Sequence, residues 1–107
     1  MVTLVINAPK EKTQSESKRS FRDTFDKGVG EGYAIAMNLF VQCHPDCNVV
    51  LLSKDEQKRA EGKLVALVPT EKTLSGMQRY DVYVKELKMV PYKPEALNRN
   101  GVAVIQA

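Results

Sequence analysis

Cys43-His44-Pro45-Asp46-Cys47 is the densest chemistry in the chain, with two thiols, an imidazole and a carboxylate inside five residues. A structural zinc site needs four ligands in tetrahedral array. The chain has no other cysteine or histidine, so no metal is expected here unless a second protomer completes the set. A Cys-His nucleophilic pair would have to use His44 with a neighbour in the same pentapeptide, where adjacent side chains seldom point at one another and no third group orients the base. His44 therefore reads as a turn histidine, and the thiols as small buried groups.

Other catalytic signatures are missing. There is no Gly-x-Ser-x-Gly elbow, no Walker phosphate loop and no His-Glu-x-x-His. Gly28-x-Gly30-x-Gly32 superficially resembles a nucleotide loop, but it follows an expected helix, whereas a dinucleotide fingerprint follows a strand. No catalytic residue and no cofactor is assigned.

Basic residues remain. Lys18, Arg19 and Arg22 fall at the start of an expected helix, Lys58 and Arg59 on an expected hairpin tip, and Arg79 beside Tyr80 at the start of a long expected strand. Such cations bind phosphate, and a neighbouring aromatic ring stacks on an unpaired base. The formal net charge of +3 favours acidic partners mildly, and a nucleic-acid site further requires that the cations share one face. Solubility is the simpler role for charges on a helix and a hairpin tip.

These residues have to be positioned by the elements around them. Val2–Asn7 is rich in β-branched residues and stops at Ala8-Pro9, which reads as a first strand. Lys10–Ser17 is polar and reads as an exposed connection. Phe21 and Phe25 stand four apart among charged neighbours, which predicts a helix over 16–27, capped by Ser15 or Ser17 and stopped by Gly28. Gly28–Gly32, with three glycines in five positions, reads as a flexible turn or a close backbone approach. Tyr33–Gln42 mixes strand-like alternation with good helix formers, and the following His44-Pro45 decides for a second helix. Val49–Ser53 and Lys63–Val68 read as a hairpin with a long charged tip over 54–62, ended by Pro69. Gln78–Met89 alternates, with a slip near Lys85-Glu86 that predicts a bulge. Val102–Ile105 reads as a last strand able to pair with the first.

Helices early and strands late argue for α+β architecture. The chain's 107 residues suffice for one core and one domain, spanning 1–107. A hydrophobic fraction of 43% and a charged fraction of 27% are those of a folding chain. No apolar run approaches the roughly 18 residues that cross a bilayer, the first residues lack the features of a secretory signal, and two cysteines cannot build a disulfide framework. A cytoplasmic location and no membrane partner are the expectations.

Tyr33-Ala34-Ile35-Ala36-Met37-Asn38, Val49-Val50-Leu51-Leu52-Ser53 and Gly62-Lys63-Leu64-Val65-Ala66-Leu67-Val68 follow the course of a helix, a strand ending in a small polar residue, and a Gly-initiated strand. In this the chain resembles the PUA-like superfamily, in particular its ASCH and EVE branches, over about a third of its length. The resemblance implies a small closed or half-closed β-barrel of about five to six strands with two helices after the first strand. It implies RNA or DNA binding in a cleft between helices and barrel, with Tyr33, Asn38, Ser53 and Lys54 near that cleft and Arg79 and Tyr80 as further candidates. Relatives that read a modified base commonly use a tryptophan, and this chain has none.

The leading expectation is thus a nucleic-acid-binding domain using Lys18, Arg19, Arg22, Lys58, Arg59, Arg79 and Tyr80. A small hydrolase or ligand-binding domain acting on a nucleoside-like molecule is the alternative. So is a homodimeric interaction module joined through an exposed edge such as Val102–Ile105.

Overall fold

Two strands longer than any others dominate the computed structural model, which describes residues 2–8 and 20–106. The strands are β1 (Val2–Asn7), β2 (Val29–Ala34), β3 (Asn48–Ser53), β4 (Lys58–Lys72), β5 (Gln78–Val90) and β6 (Val102–Gln106), with helices α1 (Phe21–Lys27) and α2 (Met37–Phe40). All six strands form one sheet in the order β2-β5-β4-β3-β1-β6, antiparallel except where β1 lies parallel to β3. The architecture is α+β, a mixed sheet with two short helices, and its expected last strand does pair with the first.

Alternation sets which side chains enter the core. Leu4 and Ile6 on β1, Val49 and Leu51 on β3, Ala60 and Leu64 on β4, Tyr80, Val82 and Val84 on β5 and Val102 on β6 all turn to one face. A one-residue slip would reverse that face, and the long strands each contain one that is used deliberately. In β5, Glu86 adopts φ 58°, the register against β4 shifts between Glu61 and Lys63, and the inward positions change from Val84 to Leu87. This is the bulge anticipated at Lys85-Glu86. In β4, a shift between Leu64 and Ala66 brings Leu67 inward and leaves Val65 outside.

α1 is the expected amphipathic helix, with the Phe21 and Phe25 rings stacked at 6.2 Å. Its cap is Ser20, whose Oγ accepts from the Asp23 amide at 3.1 Å; Ser15, Ser17 and the first positions of the predicted helix lie outside the described residues. Gly28 ends it in the left-handed region, at φ 73°, as its place in the sequence requires.

Four expectations along the chain need correction. Gly28–Gly32 is the close backbone approach and not the flexible turn, because β2 begins at Val29 and pairs with β5 from Tyr83 down to Arg79, and a Cβ on Gly28 would lie 2.9 Å from the Val84 carbonyl oxygen. Tyr33–Gln42 is consequently a strand end followed by the single turn of α2, since pairing with β5 captures the alternating Tyr33 and Ala34 before helix propensity can act. The charged stretch 54–62 is no long tip either. Its turn is 54–57, closed by the Ser53 hydroxyl accepting from the Glu56 amide. From Lys58 onward β4 has begun, with Ala60 inward and Arg59 on the opposite face. Pro69 does not end β4, which continues to Lys72 past a register shift that the Gln78 side-chain amide spans by donating to the Thr70, Glu71 and Arg79 carbonyls.

The expected barrel does not close. The sheet curls until an edge strand faces β1 across the core, so that a Cβ on Gly30 would sit 2.9 Å from Tyr33 Cε2, 3.3 Å from Ile6 Cδ1 and 3.5 Å from Thr24 Cγ2. Side chains from β1 and α1 fill the gap that ladder hydrogen bonds would have to bridge. β2 and β6 remain the two edges.

Gly62 marks the tightest crossing of the ribbon. A Cβ there would lie 2.6 Å from the Lys85 carbonyl oxygen, with Leu87 and Val84 side chains at 3.1 Å. Backbone cannot swing aside as a side chain can, so Gly62→Ala should lower the free energy of unfolding by about 1–3 kcal/mol. A urea titration followed by circular dichroism reads this, and an unchanged midpoint would contradict it.

Candidate functional site

The basic residues singled out in the sequence meet quite different fates. Arg59 lies on the face of the sheet opposite the core, yet is only 8% exposed. Its Nε reaches Glu61 at 3.2 Å, and its Nη1 reaches Glu95 at 2.8 Å and the Lys93 carbonyl at 2.9 Å. The guanidinium is thus consumed in fastening the connection after β5 to the sheet. Arg79 is similarly occupied: its Nη1 donates to the Gly32 carbonyl, while Asp81, two residues on, accepts the Gly32 amide at 3.0 Å. These two β5 side chains clamp the β2 bulge, where Gly32 takes φ 72°.

Arg22 and Lys54 are exposed. Arg22 stands 4.0 Å from Asp26 across one helical turn, a separation that contributes little in water. The Lys54 amide donates to the Asn7 side chain. Lys58 is 3.5 Å from Glu56, and its ammonium stands 6.0 Å from the centre of the Phe21 ring. Lys18 and Arg19 lie outside the described residues.

The remaining predicted residues are mostly internal. Tyr33 is fully buried against Gly30, and Ser53 is buried with its hydroxyl closing the β3–β4 turn. Asn38 is exposed, and its carbonyl accepts from the Gln42 side chain at 2.7 Å. Tyr80 is buried in a stack with Phe40, ring centres 4.7 Å apart and planes 10° from parallel. The predicted residues therefore divide. Lys54 and Lys58 flank the β3–β4 turn, with Lys58 over the Phe21 ring and Arg22 exposed on the same helix as that ring, while Tyr33, Arg79 and Tyr80 lie where β2 meets β5.

One hollow of the surface was not legible as a site. It is a groove of about 520 Å³ between α2 and the tip of the β4–β5 hairpin. Ile35, Ala36, Met37, Met77 and Tyr80 give it apolar walls, and Lys72, Ser75, Gly76 and Gln78 a polar rim. The hairpin tip is held by Thr73, whose amide donates to the Met77 carbonyl at 2.8 Å and whose hydroxyl accepts from the Met77 amide at 3.0 Å. Met37 is 69% exposed on one wall, with Val41 one helical turn further on, and Leu74 stands fully out of the hairpin tip. Ser75-Gly76 between two alternating runs is a hairpin signal that could have located this tip. Nothing in the spacing says that α2 lies against it. Of the two groups of predicted residues, only the second reaches the groove, through Tyr80, and the groove's one lining cation, Lys72, was not anticipated.

A second hollow of about 190 Å³ is lined by Thr3, Asn48, Val50, Arg59 and Glu61 among others. Its charged groups are already bonded to each other. Among the described residues no group of three or more His, Cys, Asp or Glu side chains could hold a metal ion, and no helix is long and apolar enough to cross a membrane.

The Cys43–Cys47 pentapeptide is structural in its geometry. Cys47 is fully buried, and its amide donates to the His44 carbonyl at 3.1 Å. Both thiols are free, with the Cys43 Sγ 3.5 Å from the Leu39 carbonyl. His44 is exposed. Asp46, in left-handed backbone at φ 71°, pairs with Lys85 at 2.8 Å. The Lys85 hydrogen bond holds the Asp46 carboxyl below its ordinary range, and Asp46 in turn holds the Lys85 ammonium above its own.

Burial, and secondarily the nearby Cys47, pushes the Cys43 thiol up to about 11 from 9.0. An unfolded chain ionises this thiol first. The associated stability is present below pH 9.0 and is lost as pH rises towards the folded value of about 11. At pH 8 the folded thiolate fraction is about 100-fold lower than in a free thiol. Iodoacetamide should therefore modify Cys43 about 100-fold more slowly in the native protein than in urea, as read by mass spectrometry; equal rates would contradict the burial argument. Comparison with protein-family models, with curated proteins and with solved structures finds no match to this chain.

Proposed function

We propose that the protein is a binding domain whose working surface is the groove between α2 and the β4–β5 hairpin tip, and that its occupant is an acidic, apolar segment of another protein. The observation that carries this reading is the composition of the groove. Its walls supply Ile35, Ala36, Met37, Met77 and Tyr80, and its rim offers one cation, Lys72, with no carboxylate among the lining residues. Two methionines give such a surface the adaptability to accept apolar anchors of different shapes. Met37, Val41 and Leu74 extend the exposed apolar surface beyond the groove, which is how interaction sites differ from scattered surface hydrophobics. The lining suits binding better than bond breaking, because its hydroxyl and amide groups have no general base beside them.

A display library of ten-residue peptides carrying Leu or Phe anchors among Glu residues tests this reading. Selected peptides should bind the native protein and lose at least about ten-fold in affinity, about 1.4 kcal/mol, on Met37→Asp and on Lys72→Glu. Failure to enrich any peptide, or peptides indifferent to both substitutions, overturns it.

RNA or DNA binding is the second reading, and is what the PUA-like resemblance implies. One observation favours it: Lys58 stands over the Phe21 ring, which brings a cation at the start of β4 onto α1, the helix that also carries Arg22. Lys18 and Arg19 precede them in sequence. On this reading a labelled single-stranded oligonucleotide binds at low salt, and neutralising Arg22, Lys54 and Lys58 to glutamine lowers the slope of log affinity against log salt by about 0.7 per cation. An unchanged slope eliminates these residues as the phosphate contacts.

A further inference from the structure

We infer that β6 is a self-pairing edge, through which two copies of this chain join into one continuous antiparallel sheet with Ile105 on the two-fold axis. The backbone pattern of β6 fixes how this can occur. The Val102 amide and carbonyl are turned away from β1, since they bond to the Asn98 side-chain oxygen at 3.1 Å and the Asn98 amide at 3.0 Å. With a period of two, the Val104 and Gln106 backbone groups are turned outward as well, whereas Ala103 and Ile105 bond to β1. Val102 is therefore capped, and Val104 and Gln106 are the outward pairs left for another strand.

Only one register uses all of them. If Val104 of one copy faces Gln106 of the other, each pair exchanges two backbone hydrogen bonds, the operation is two-fold, and Ile105 lies opposite its own symmetry mate. Centring the axis on Val104 instead would set Gln106 against the capped Val102. Ile105 is 36% exposed, and at a non-hydrogen-bonded position of an antiparallel pair facing side chains come closest. The exposed apolar side chain is thus covered by its own counterpart, and a strand of identical sequence is the partner that satisfies both the hydrogen bonds and the side chain.

The contrast between the two edges supports the same conclusion. β2 carries the devices that prevent edge pairing: a bulge at Gly32 with its amide held by Asp81 and its carbonyl by Arg79. β6, Val-Ala-Val-Ile-Gln, has no charge, no proline and no register shift along its pairing with β1. Gln106 keeps its side chain out of the way through a 2.5 Å hydrogen bond from its amide nitrogen to Gln42. Four backbone hydrogen bonds and one isoleucine pair make a small interface, so the association is concentration-dependent.

Sedimentation velocity from about 10 µM to about 1 mM is the measurement, a range that brackets a weak dimer. The native protein should pass from monomer to dimer, and Val104→Pro, which deletes an outward amide that β1 does not use, should remain a monomer throughout. Ile105→Lys places two ammonium groups opposite each other at the axis and should also remain a monomer. It acts through an exposed side chain and so preserves the test if the proline variant fails to fold, which circular dichroism reports. A native protein that stays monomeric at about 1 mM, or a dimer that survives Ile105→Lys, overturns the inference. Neither outcome bears on the groove, whose peptide binding is measured at concentrations where the chain is monomeric.

Discussion

The β4–β5 ribbon is the constraint on which everything else rests. β4 is 15 residues long and β5 13. One stretch of β4, Lys58–Lys63, carries β3, and the other stretch of the ribbon carries β2 along β5 from Arg79 to Tyr83. A flat ribbon of this length could not present the same face to both. The register shifts at Glu61/Lys63 and Leu64/Ala66 increase the local twist, and the ribbon turns β2 back over β1 with the core between them. Gly62 sits at the first of these shifts because only a residue without Cβ passes the Lys85 carbonyl there.

Charged side chains near the ribbon are spent on holding this shape. Arg59 with Glu61 and Glu95 ties down the connection that leads from β5 to β6. Arg79 and Asp81 fix the β2 bulge from both sides of one glycine. Removing either carboxylate partner of Arg59 would leave a desolvated cation less well paired, whereas the exposed Lys58–Glu56 pair is screened by solvent. The number of cations, 16, thus overstates how many are left to attract a ligand.

How much of this the sequence discloses follows from which interactions are local. β1, α1 with its Gly28 stop, β3, the bulged β5 and β6 were readable because each depends on alternation, on a cap or on a slip visible within a dozen residues. β2 was not, because Gly-rich Val29–Ala34 becomes a strand only when β5 lies beside it. Arg59 looks like part of a charged tip until Glu95, 36 positions away, comes to meet it. Candidate sites suffered most: a groove built where Met37 on α2 meets Met77 on the hairpin is a tertiary coincidence that no spacing encodes.

Groove and β6 edge place different demands on the same sheet. A groove between an exposed one-turn helix and a hairpin tip can adjust its walls, because Met37, Val41 and Leu74 are not pinned by packing. An edge strand that is to pair has to be rigid, and β6 is held along its inner side by the Ala103 and Ile105 backbone groups paired with β1 and at its start by Asn98. Gln42, directly after α2, bonds Gln106 at the end of β6. Because that bond is exposed, water replaces it at little cost, and each surface keeps its own shape when the other is occupied.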